Sequence, residues 1–306
     1  MRALVSPASL KGVLSAGAAA ALVAEGLRRG GAEAEELPIA DGGEGTAEIL
    51  GARVVSRIRV EDAFGRPRKA PIRALPDGTV VVESAEVIPF DRARLAPLSA
   101  SSRGLGLLIA AVEAEQLLVC LGGTANVDGG AGLLEVLPEL PASTVVLCDA
   151  LVPLRDAARR FAPQKGATPE QVELLEQRLT GMGELAPYAE VPGAGAAGGL
   201  GAALASLGAV LVPGAQEVLR RLRFAQRVQA ADLVVTGEGA VDATTLVGKA
   251  PDEVSRICRE EGVRCVVFGG RVEVELDGVE TIALSGDPSR AEADLVVLGE
   301  RLATAK

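Results

Sequence analysis

Five glycine-rich segments, spread along the chain where strands are predicted to end, constrain this sequence more than any other feature. They are Asp41-Gly-Gly-Glu-Gly-Thr46, Gly122-Gly-Thr-Ala-Asn-Val-Asp128-Gly-Gly130, Gly193-Ala-Gly-Ala-Ala-Gly-Gly-Leu-Gly201, Gly237-Glu-Gly-Ala-Val-Asp242 and Gly269-Gly270. Glycine allows backbone N–H groups to approach a ligand closely, and the carboxylates in three of these segments can bind a metal ion or accept a proton. The pattern predicts a site for an anionic ligand with a divalent cation, assembled from distant parts of the chain.

The overall charge and composition disfavour several classes of partner. The chain of 306 residues carries a formal net charge of −10, which disfavours nucleic acid or an anionic membrane as a partner. Aromatic residues make up only 2% of the sequence, too few for surfaces on which bases stack. No apolar run approaches the roughly 20 residues that span a bilayer, and the N-terminal apolar stretch is too short for a signal peptide. We therefore expect a cytoplasmic protein that binds neither nucleic acid nor membrane.

Histidine is absent from the sequence, and this narrows the chemistry. A Ser-His-Asp triad, a histidine-ligated zinc and a histidine general base are excluded, so acid–base work at neutral pH must fall to a carboxylate, a lysine, a cysteine or Tyr188. The four cysteines show no Cys-x-x-Cys spacing, and three of them lie in or beside apolar segments. They are predicted to be buried structural thiols rather than metal ligands.

The two ends of the chain alternate between predicted strands and helices, whereas the middle does not. Residues 1–51 read as strand, helix and strand, which implies parallel pairing, and the same alternation returns from about residue 216. Residues 53–86 instead alternate with a period of two and predict an antiparallel meander. We predict an α/β protein of two domains: a discontinuous Rossmann-like domain, residues 1–51 and 216–306, and an inserted mixed α+β domain, residues 52–215. A tandem arrangement of two domains is the alternative.

Three of the glycine-rich segments have a sequence context that suits a ligand. The Asp41 segment follows a strand and precedes a helix, as at the ligand edge of a parallel sheet, although a capped turn without a ligand has the same appearance. The N–H groups after residue 121 and the Thr124 hydroxyl can wrap a phosphate as a backbone nest, and Asp128 can hold a metal or a hydroxyl. The segment from Gly193 precedes a helix, whose N-terminal N–H groups favour an anion. The alternative is that its glycines and alanines form a tight contact between helices.

Two further segments add cationic and hydroxyl groups. After the segment that ends at Asp242 come Thr244, Thr245, Gly248 and Lys249, which can serve phosphate and metal together. The chain has no Gly-x-x-x-x-Gly-Lys-Ser/Thr motif, so any nucleotide is bound in another way. In the polar turn at residues 163–166, Lys165 can neutralise a phosphate, although taken alone it reads more readily as a solvated surface lysine.

Taken together, the ordered segments resemble the bacterial glycerate kinase family, the type-I enzymes that phosphorylate D-glycerate. The resemblance is carried by Ser6-Pro-Ala-Ser-Leu-Lys11, Pro38-Ile-Ala-Asp-Gly-Gly-Glu-Gly-Thr46, residues 122–132, Phe161-Ala-Pro-Gln-Lys-Gly-Ala-Thr168, residues 192–204, Asp232-Leu-Val-Val-Thr-Gly-Glu-Gly239 and residues 245–251. It implies two α/β domains with the substrate cleft between them, ATP and Mg²⁺ as cofactors, and 2-phosphoglycerate as the product.

With that activity as the hypothesis, each candidate residue takes a predicted role. The candidate catalytic carboxylates are Asp41, Asp128 and Asp242, with Asp41 the first candidate to accept the hydroxyl proton. Glu238, Asp128 and Asp242 are candidates for the metal. The predicted substrate-binding residues are Lys11, Gly42, Gly43, Glu44 and Lys165. The predicted nucleotide- and phosphate-binding residues are Gly122, Gly123, Thr124, Gly195, Gly198, Gly199 and Lys249.

The chain departs from the family pattern at a few positions. Ala8 stands where the family usually has Asp, Val152 replaces a polar residue, and Ala240 stands where Arg or Lys is common; the chain is also shorter than is usual for the family. These departures keep two alternatives open: a non-catalytic sensor of sugar acids or nucleotides, and a kinase for another small hydroxy acid. The sequence also leaves a homodimer open.

Overall fold

The computed structural model describes residues 1–242, 245, 249–276 and 278–304 of the chain. The described residues divide into two units. The outer unit comprises Met1–Asp41 and Val218–Lys306, and the inserted unit is Gly42–Glu217. The predicted α/β fold class is confirmed, since each unit is built on a sheet with helices packed against it.

The strands, in chain order, are β1 (Arg2–Val5), β2 (Glu33–Glu36), β3 (Arg53–Glu61), β4 (Pro67–Ala74), β5 (Val80–Glu83), β6 (Gln116–Leu121), β7 (Ser143–Cys148), β8 (Val210–Pro213), β9 (Leu233–Val241), β10 (Arg264–Val272) and β11 (Glu280–Ala283). The α-helices are α1 (Ala16–Arg29), α2 (Thr46–Ile49), α3 (Ser84–Val87), α4 (Arg103–Ala110), α5 (Ala131–Leu134), α6 (Ala157–Phe161), α7 (Pro169–Gly181), α8 (Ala196–Ser206), α9 (Gly214–Arg221), α10 (Phe224–Val228), α11 (Ala250–Glu261) and α12 (Ala291–Thr304). Short 3₁₀ turns occupy Leu154–Asp156, Pro163–Lys165, Gly183–Tyr188 and Pro288–Arg290.

The outer unit is a parallel sheet with the strand order β11-β10-β9-β1-β2. Parallel neighbours need crossover connections, and α1 supplies the one between β1 and β2. This helix begins at Ser15, whose hydroxyl accepts from the Ala18 N–H at 3.2 Å. Its alanine-rich buried face packs against α12 and the sheet, in a core that includes Val5, Val235 and Phe268. The order reverses between β1 and β9, and in open α/β sheets this is where ligands bind at the carboxyl ends of the strands.

The inserted unit is a mixed sheet with the strand order β3-β4-β5-β6-β7-β8. β3, β4 and β5 are antiparallel, which confirms the meander predicted for residues 53–86, and β5 to β8 are parallel. The core joins the buried strands to α4 and α8 through residues such as Leu105, Leu108, Val119 and Leu200. Because the last four strands run in the same direction, the residues after Glu83, Leu121, Cys148 and Pro213 emerge at one edge of the sheet.

The segment after Asp41 belongs to the inserted unit, whereas the sequence pattern places residues 42–51 in the outer domain. The physical reason is local: α2 packs against β5, and the Glu83 carboxylate accepts hydrogen bonds from the Gly45 and Ala47 N–H groups. The limits of independently folding domains stay a prediction. Among the residues that the structure describes, no helix has both the length and the apolar character that crossing a membrane requires.

Candidate functional site

The glycine-rich segment after β6, residues 122–130, is called the β6 loop, and Asp128 organises it. The Asp128 carboxylate accepts from the N–H groups of Ser102 (2.8 Å), Gly130 (3.1 Å) and Gly132 (3.3 Å). It also accepts from the Ser102 hydroxyl at 2.8 Å and from the Asn126 side-chain amide at 2.9 Å. Both carboxylate oxygens are therefore engaged within the protein. This arrangement suits a group that fixes the loop, and the predicted base and metal roles of Asp128 stay predictions.

Lys165 lies beneath the β6 loop rather than on the surface. Its side chain is buried, and its ammonium donates to the backbone carbonyl of Asn126 at 2.6 Å. The ring of Phe161 is 5.9 Å from the ammonium nitrogen. Burial lowers the pKa of Lys165 to about 8, against the opposing attraction of Asp149 and Asp128. A buried cation with one short hydrogen bond is a good partner for an anion.

Two buried polar atoms of the β6 loop have no hydrogen-bond partner within the part of the chain that the structure describes: the Thr124 hydroxyl oxygen and the Asn126 side-chain oxygen. The Asn126 amide nitrogen donates to Asp128 at 2.9 Å and to the Ala197 carbonyl at 3.2 Å, so the orientation of the amide is fixed by two acceptors. Unpartnered buried polar atoms are costly, and in a loop of this kind they point to a ligand or an ordered water.

The glycine-rich segment that leads into α8 packs closely against the β6 loop. Gly198 has φ +72°, and an added Cβ would lie 2.4 Å from the Asn126 carbonyl oxygen. The Gly198 carbonyl also accepts from the Gly129 N–H at 3.0 Å. Ala197 has φ +50°, which is uncommon for a residue with a side chain. The close-contact interpretation therefore has direct support here, while anion binding by Gly195, Gly198 and Gly199 stays a prediction.

The segment 42–47 lies beside the β6 loop, at the edge where β5 and β6 end. A Cβ added to Gly122 would lie 3.1 Å from the Gly43 Cα and 2.5 Å from Asp149 Oδ2. A Cβ added to Gly123 would lie 3.5 Å from Glu44 Oε2. Gly43 and Glu44 are thus brought beside the β6 loop within the inserted unit, whereas Gly42 packs against Gly214 and Leu147.

A second group of candidates lies in the outer unit, around Glu238 on β9. The hydroxyl of Thr245 donates to Glu238 Oε1 at 2.7 Å, and the Lys249 ammonium is 3.7 Å from Oε2. Burial raises the pKa of Glu238, and repulsion from Asp41 and Asp242 adds to the rise, while Lys249 and Thr245 oppose it. The structure therefore brings these predicted residues into one electrostatic group. Thr244 and Gly248, from the same motif, lie outside the described residues.

Lys11 lies in the turn after β1, at the reversal of strand order in the outer sheet. The turn is closed by hydrogen bonds between Leu10 and Leu14, and Lys11 is exposed. A Cβ added to Gly239 would lie 3.5 Å from the Lys11 backbone nitrogen, so the turn runs along β9. Directly after β1, the buried Ser6 hydroxyl has no hydrogen-bond partner among the described residues.

The predicted metal ligands do not form one cluster in either unit. Asp128 belongs to the inserted unit, whereas Glu238 and Asp242 belong to the outer unit. Within residues 1–242, 245, 249–276 and 278–304, no group of three or more His, Cys, Asp or Glu side chains has a geometry that could hold a metal ion.

Sequence reasoning did not single out four residues that the structure places at these loops. Glu83 and Ser84 follow the buried run of β5, Asn126 lies inside the β6 loop, and Asp149 follows β7. A signal was present for the first pair, because a carboxylate directly after three buried valines marks the polar end of a strand. The partners of Glu83 and Ser84 lie 36 to 38 positions away, so those contacts had no local signal.

Comparison with known proteins assigns the family. The model of the glycerate kinase family matches residues 3–140 and 137–286. The chain is 33% identical to glycerate kinase of Bacillus subtilis, over 91% of this chain and 87% of that one. It is 32% identical to glycerate 2-kinase of Escherichia coli, over 85% of this chain and 82% of that one. A crystal structure assigned as glycerate kinase 2 from Salmonella typhimurium LT2 superimposes with a TM-score of 0.78 and 29% identity, covering 99% of this chain and 97% of that one. By sequence and by fold, the chain belongs to the glycerate kinase family of enzymes.

Proposed function

We propose that the protein transfers the γ-phosphoryl group of ATP to D-glycerate and forms 2-phosphoglycerate. The observation that carries this proposal is the buried ammonium of Lys165 beneath the β6 loop, 2.6 Å from the Asn126 carbonyl. Phosphoryl transfer depends on positioning and charge stabilisation more than on covalent chemistry by the protein. A cation held under a glycine-rich loop at the end of a parallel strand supplies both. The names of the relatives, glycerate kinase and glycerate 2-kinase, support the choice of substrate and product.

The β6 loop is the proposed phosphate site. The proposed donors for phosphate oxygens are the Thr124 hydroxyl, which has no partner among the described residues, and the loop N–H groups that are not already bonded. The N–H groups of Gly122, Ala125, Gly129 and Gly130 are already bonded within the protein. We assign Lys165 to phosphate rather than to the glycerate carboxylate, because it is buried directly beneath this loop. In this assignment Gly198 and Gly199 serve the nucleotide indirectly, since their close packing holds the β6 loop in place.

The glycerate carboxylate needs cationic or N–H partners. The N–H groups of Gly42 and Gly43 are one set of candidates, and the exposed ammonium of Lys11 is another. Both glycines are buried, and a Cβ added to Gly42 would lie 2.5 Å from the Gly214 Cα, so glycine at residue 42 also satisfies a close packing contact.

The C2 hydroxyl of glycerate loses its proton as its oxygen bonds to the γ-phosphorus of ATP. The bond from that phosphorus to the β,γ-bridging oxygen breaks, and ADP leaves. We propose Asp41 as the acceptor of this proton. Asp128 is a weaker candidate, because five hydrogen bonds already occupy its oxygens. The Glu238 carboxylate accepts from Thr245 and is paired with Lys249. It is therefore a weaker candidate for the base than Asp41, and we assign it the role of setting the local charge around Asp41.

Mg²⁺ is expected with ATP, where it neutralises charge on the phosphates. Mg²⁺ is commonly held by one or two carboxylates with phosphate oxygens and waters completing its shell. Glu238 and Asp242 fit that limited requirement, although the Lys249 ammonium at 3.7 Å from Glu238 weakens the attraction for a cation. A full protein cage of carboxylates is not needed for this chemistry.

Coupled ADP release tests the proposal. Purified protein is assayed with ATP, Mg²⁺ and a panel of small hydroxy acids that includes D-glycerate, and the product is assigned by phosphorus NMR. ADP release with D-glycerate and a signal from 2-phosphoglycerate are the expected results. Turnover with another hydroxy acid alone overturns the substrate. Calorimetric binding of ATP or glycerate without any turnover overturns the kinase activity and supports a sensor.

A further inference from the structure

Two consecutive residues at the end of β5, Glu83 and Ser84, each hold one of the two proposed ligand segments. One Glu83 carboxylate oxygen accepts from the Ala47 N–H at 2.6 Å, and the other accepts from the Gly45 N–H at 3.1 Å. The Ser84 hydroxyl donates to the Gly122 carbonyl at 3.1 Å and accepts from the Gly122 N–H at 3.2 Å. The same dipeptide thus fixes segment 42–47 and the first residue of the β6 loop.

The anchoring by Glu83 depends on its negative charge. The side chain is buried, and burial raises its pKa, whereas the two N–H bonds lower it. The charged side chains that also influence it are Glu86, which raises the pKa, and Arg73, which lowers it. Arg73 is itself paired with Glu86 at 2.5 Å, so the two backbone N–H groups are the direct partners of the Glu83 carboxylate. Burying a carboxylate without such hydrogen bonds costs free energy. Because any shift of segment 42–47 would break the two bonds, the position of the segment is well defined.

Ser84 works by a different geometry. One hydroxyl bonds both the backbone N–H and the backbone carbonyl of Gly122, and Ser84 is fully buried. Gly122 is the point where the chain leaves β6 and enters the phosphate loop. Loss of the hydroxyl would leave a buried N–H and a buried carbonyl without this partner, and the loop could then shift at its first residue.

We propose that Glu83 and Ser84 are positioning residues of the phosphoryl transfer. Glu83 sets the place of segment 42–47 toward glycerate, and Ser84 sets the place of the β6 loop toward the phosphates of ATP. The inference rests on the proposed function. It predicts that two adjacent residues control the apparent affinities for two different substrates.

The kinetic test compares Glu83→Gln and Ser84→Ala with wild type. An amide at residue 83 presents one acceptor and one donor, so it cannot accept from both N–H groups. We expect Glu83→Gln to raise KM for glycerate by about ten- to a hundredfold, the range for losing a hydrogen bond to a charged group, while KM for ATP stays within roughly threefold. Ser84→Ala is expected to raise KM for ATP more than KM for glycerate. The matched control is Glu86→Gln, which loses the ion pair with Arg73, the side-chain partner that the described residues give Glu86.

Amide hydrogen exchange provides a readout that does not depend on turnover. Glu83→Gln should speed exchange at Gly45 and Ala47, and Ser84→Ala should speed exchange at Gly122, with Glu86→Gln unchanged at all three. If Glu83→Gln does not fold, Glu83→Asp replaces it, because this variant keeps the negative charge on a shorter side chain. It should also raise KM for glycerate more than KM for ATP. The positioning role is overturned if wild type is active and the variants change both KM values equally. It is also overturned if the variants lower only the stability. Wild type inactive on glycerate overturns the proposed function and this inference with it.

Discussion

The ammonium of Lys165 donates to the backbone carbonyl of Asn126 at 2.6 Å, across 39 positions of sequence. The contact places a buried positive charge directly under the β6 loop. The carboxylate of Asp128 fixes the same loop and accepts from the Asn126 amide nitrogen. The Asn126 side-chain oxygen has no hydrogen-bond partner in the described part of the chain. A buried cation thus lies directly beneath a rigidly held glycine-rich loop with buried polar atoms, an arrangement that suits a phosphate site.

Anion binding should be coupled to proton uptake through Lys165. Its pKa is about 8 because burial disfavours the charged form, and an anion beside it would raise that value again. At pH 8, binding of a nonhydrolysable ATP analogue should therefore take up as much as roughly half a proton more in wild type than in Lys165→Met. Calorimetry in buffers of different ionisation enthalpy measures this difference. Lys69→Met, which removes an exposed lysine, is the control, and equal uptake in wild type and Lys165→Met would refute the coupling.

Asp41→Asn should lower kcat with little change in Tm. The substitution is nearly isosteric, and loss of a general base commonly costs a factor of about 10² to 10⁴. Steady-state kinetics with D-glycerate and thermal unfolding check the two halves of the prediction. Asp77→Asn, in an exposed turn, serves as the carboxylate control. A kcat within a few-fold of wild type would remove Asp41 from the role of base. A large loss of Mg²⁺ affinity instead would make Asp41 a metal ligand.

Asp128→Asn should act on stability first. The carboxylate accepts from three backbone N–H groups and two side chains, and an amide nitrogen in its place would face donors. We expect the free energy of unfolding to fall by about 1–3 kcal/mol, the usual scale for hydrogen bonds to a charged group. Urea unfolding measures this loss. Unchanged stability together with a large fall in kcat would favour the catalytic role instead.

Gly198→Ala should destabilise the inserted unit. Its φ of +72° disfavours a side chain, and the new Cβ would lie 2.4 Å from the Asn126 carbonyl oxygen. A cost of about 1–3 kcal/mol is expected from the strained backbone and the forced displacement together. Gly181→Ala is the matched control, because a Cβ there meets nothing within 4 Å at the end of α7. If both variants unfold at the same urea concentration, the close contact does not fix the segment.

The four cysteines should be unreactive in the folded protein and dispensable for catalysis. All four are buried, as the sequence predicted, and burial raises the pKa of Cys148 to about 12. A hydrogen bond from Cys258 lowers the pKa of Cys265, so for that thiol the expected protection rests on its burial. Thiolates are the reactive form, so a thiol reagent at pH 8 should label the native protein slowly and leave its turnover unchanged. Titration in denaturant should then reveal four thiols. Rapid inactivation by stoichiometric labelling of one cysteine would contradict the prediction.

The sequence by itself determined the fold class, the family resemblance and which loops carry glycine. These features are local: strand ends, turn residues and the period-two pattern of residues 53–86 are all visible within short windows. The same local information placed Gly122, Gly123 and Thr124 in one loop after β6. It also excluded histidine from the chemistry, because the residue is absent.

Only the tertiary structure decided which groups meet at that loop. Lys165 looked like a surface lysine until burial beneath Asn126 gave it a lowered pKa. Glu83 carried no local sign that it would hold Gly45 and Ala47, its partners across 38 and 36 positions. Such contacts arise from the parallel order of strands, which brings distant segments to one edge of a sheet. A local pattern cannot encode them, because desolvation and long-range hydrogen bonding exist only once the chain has folded.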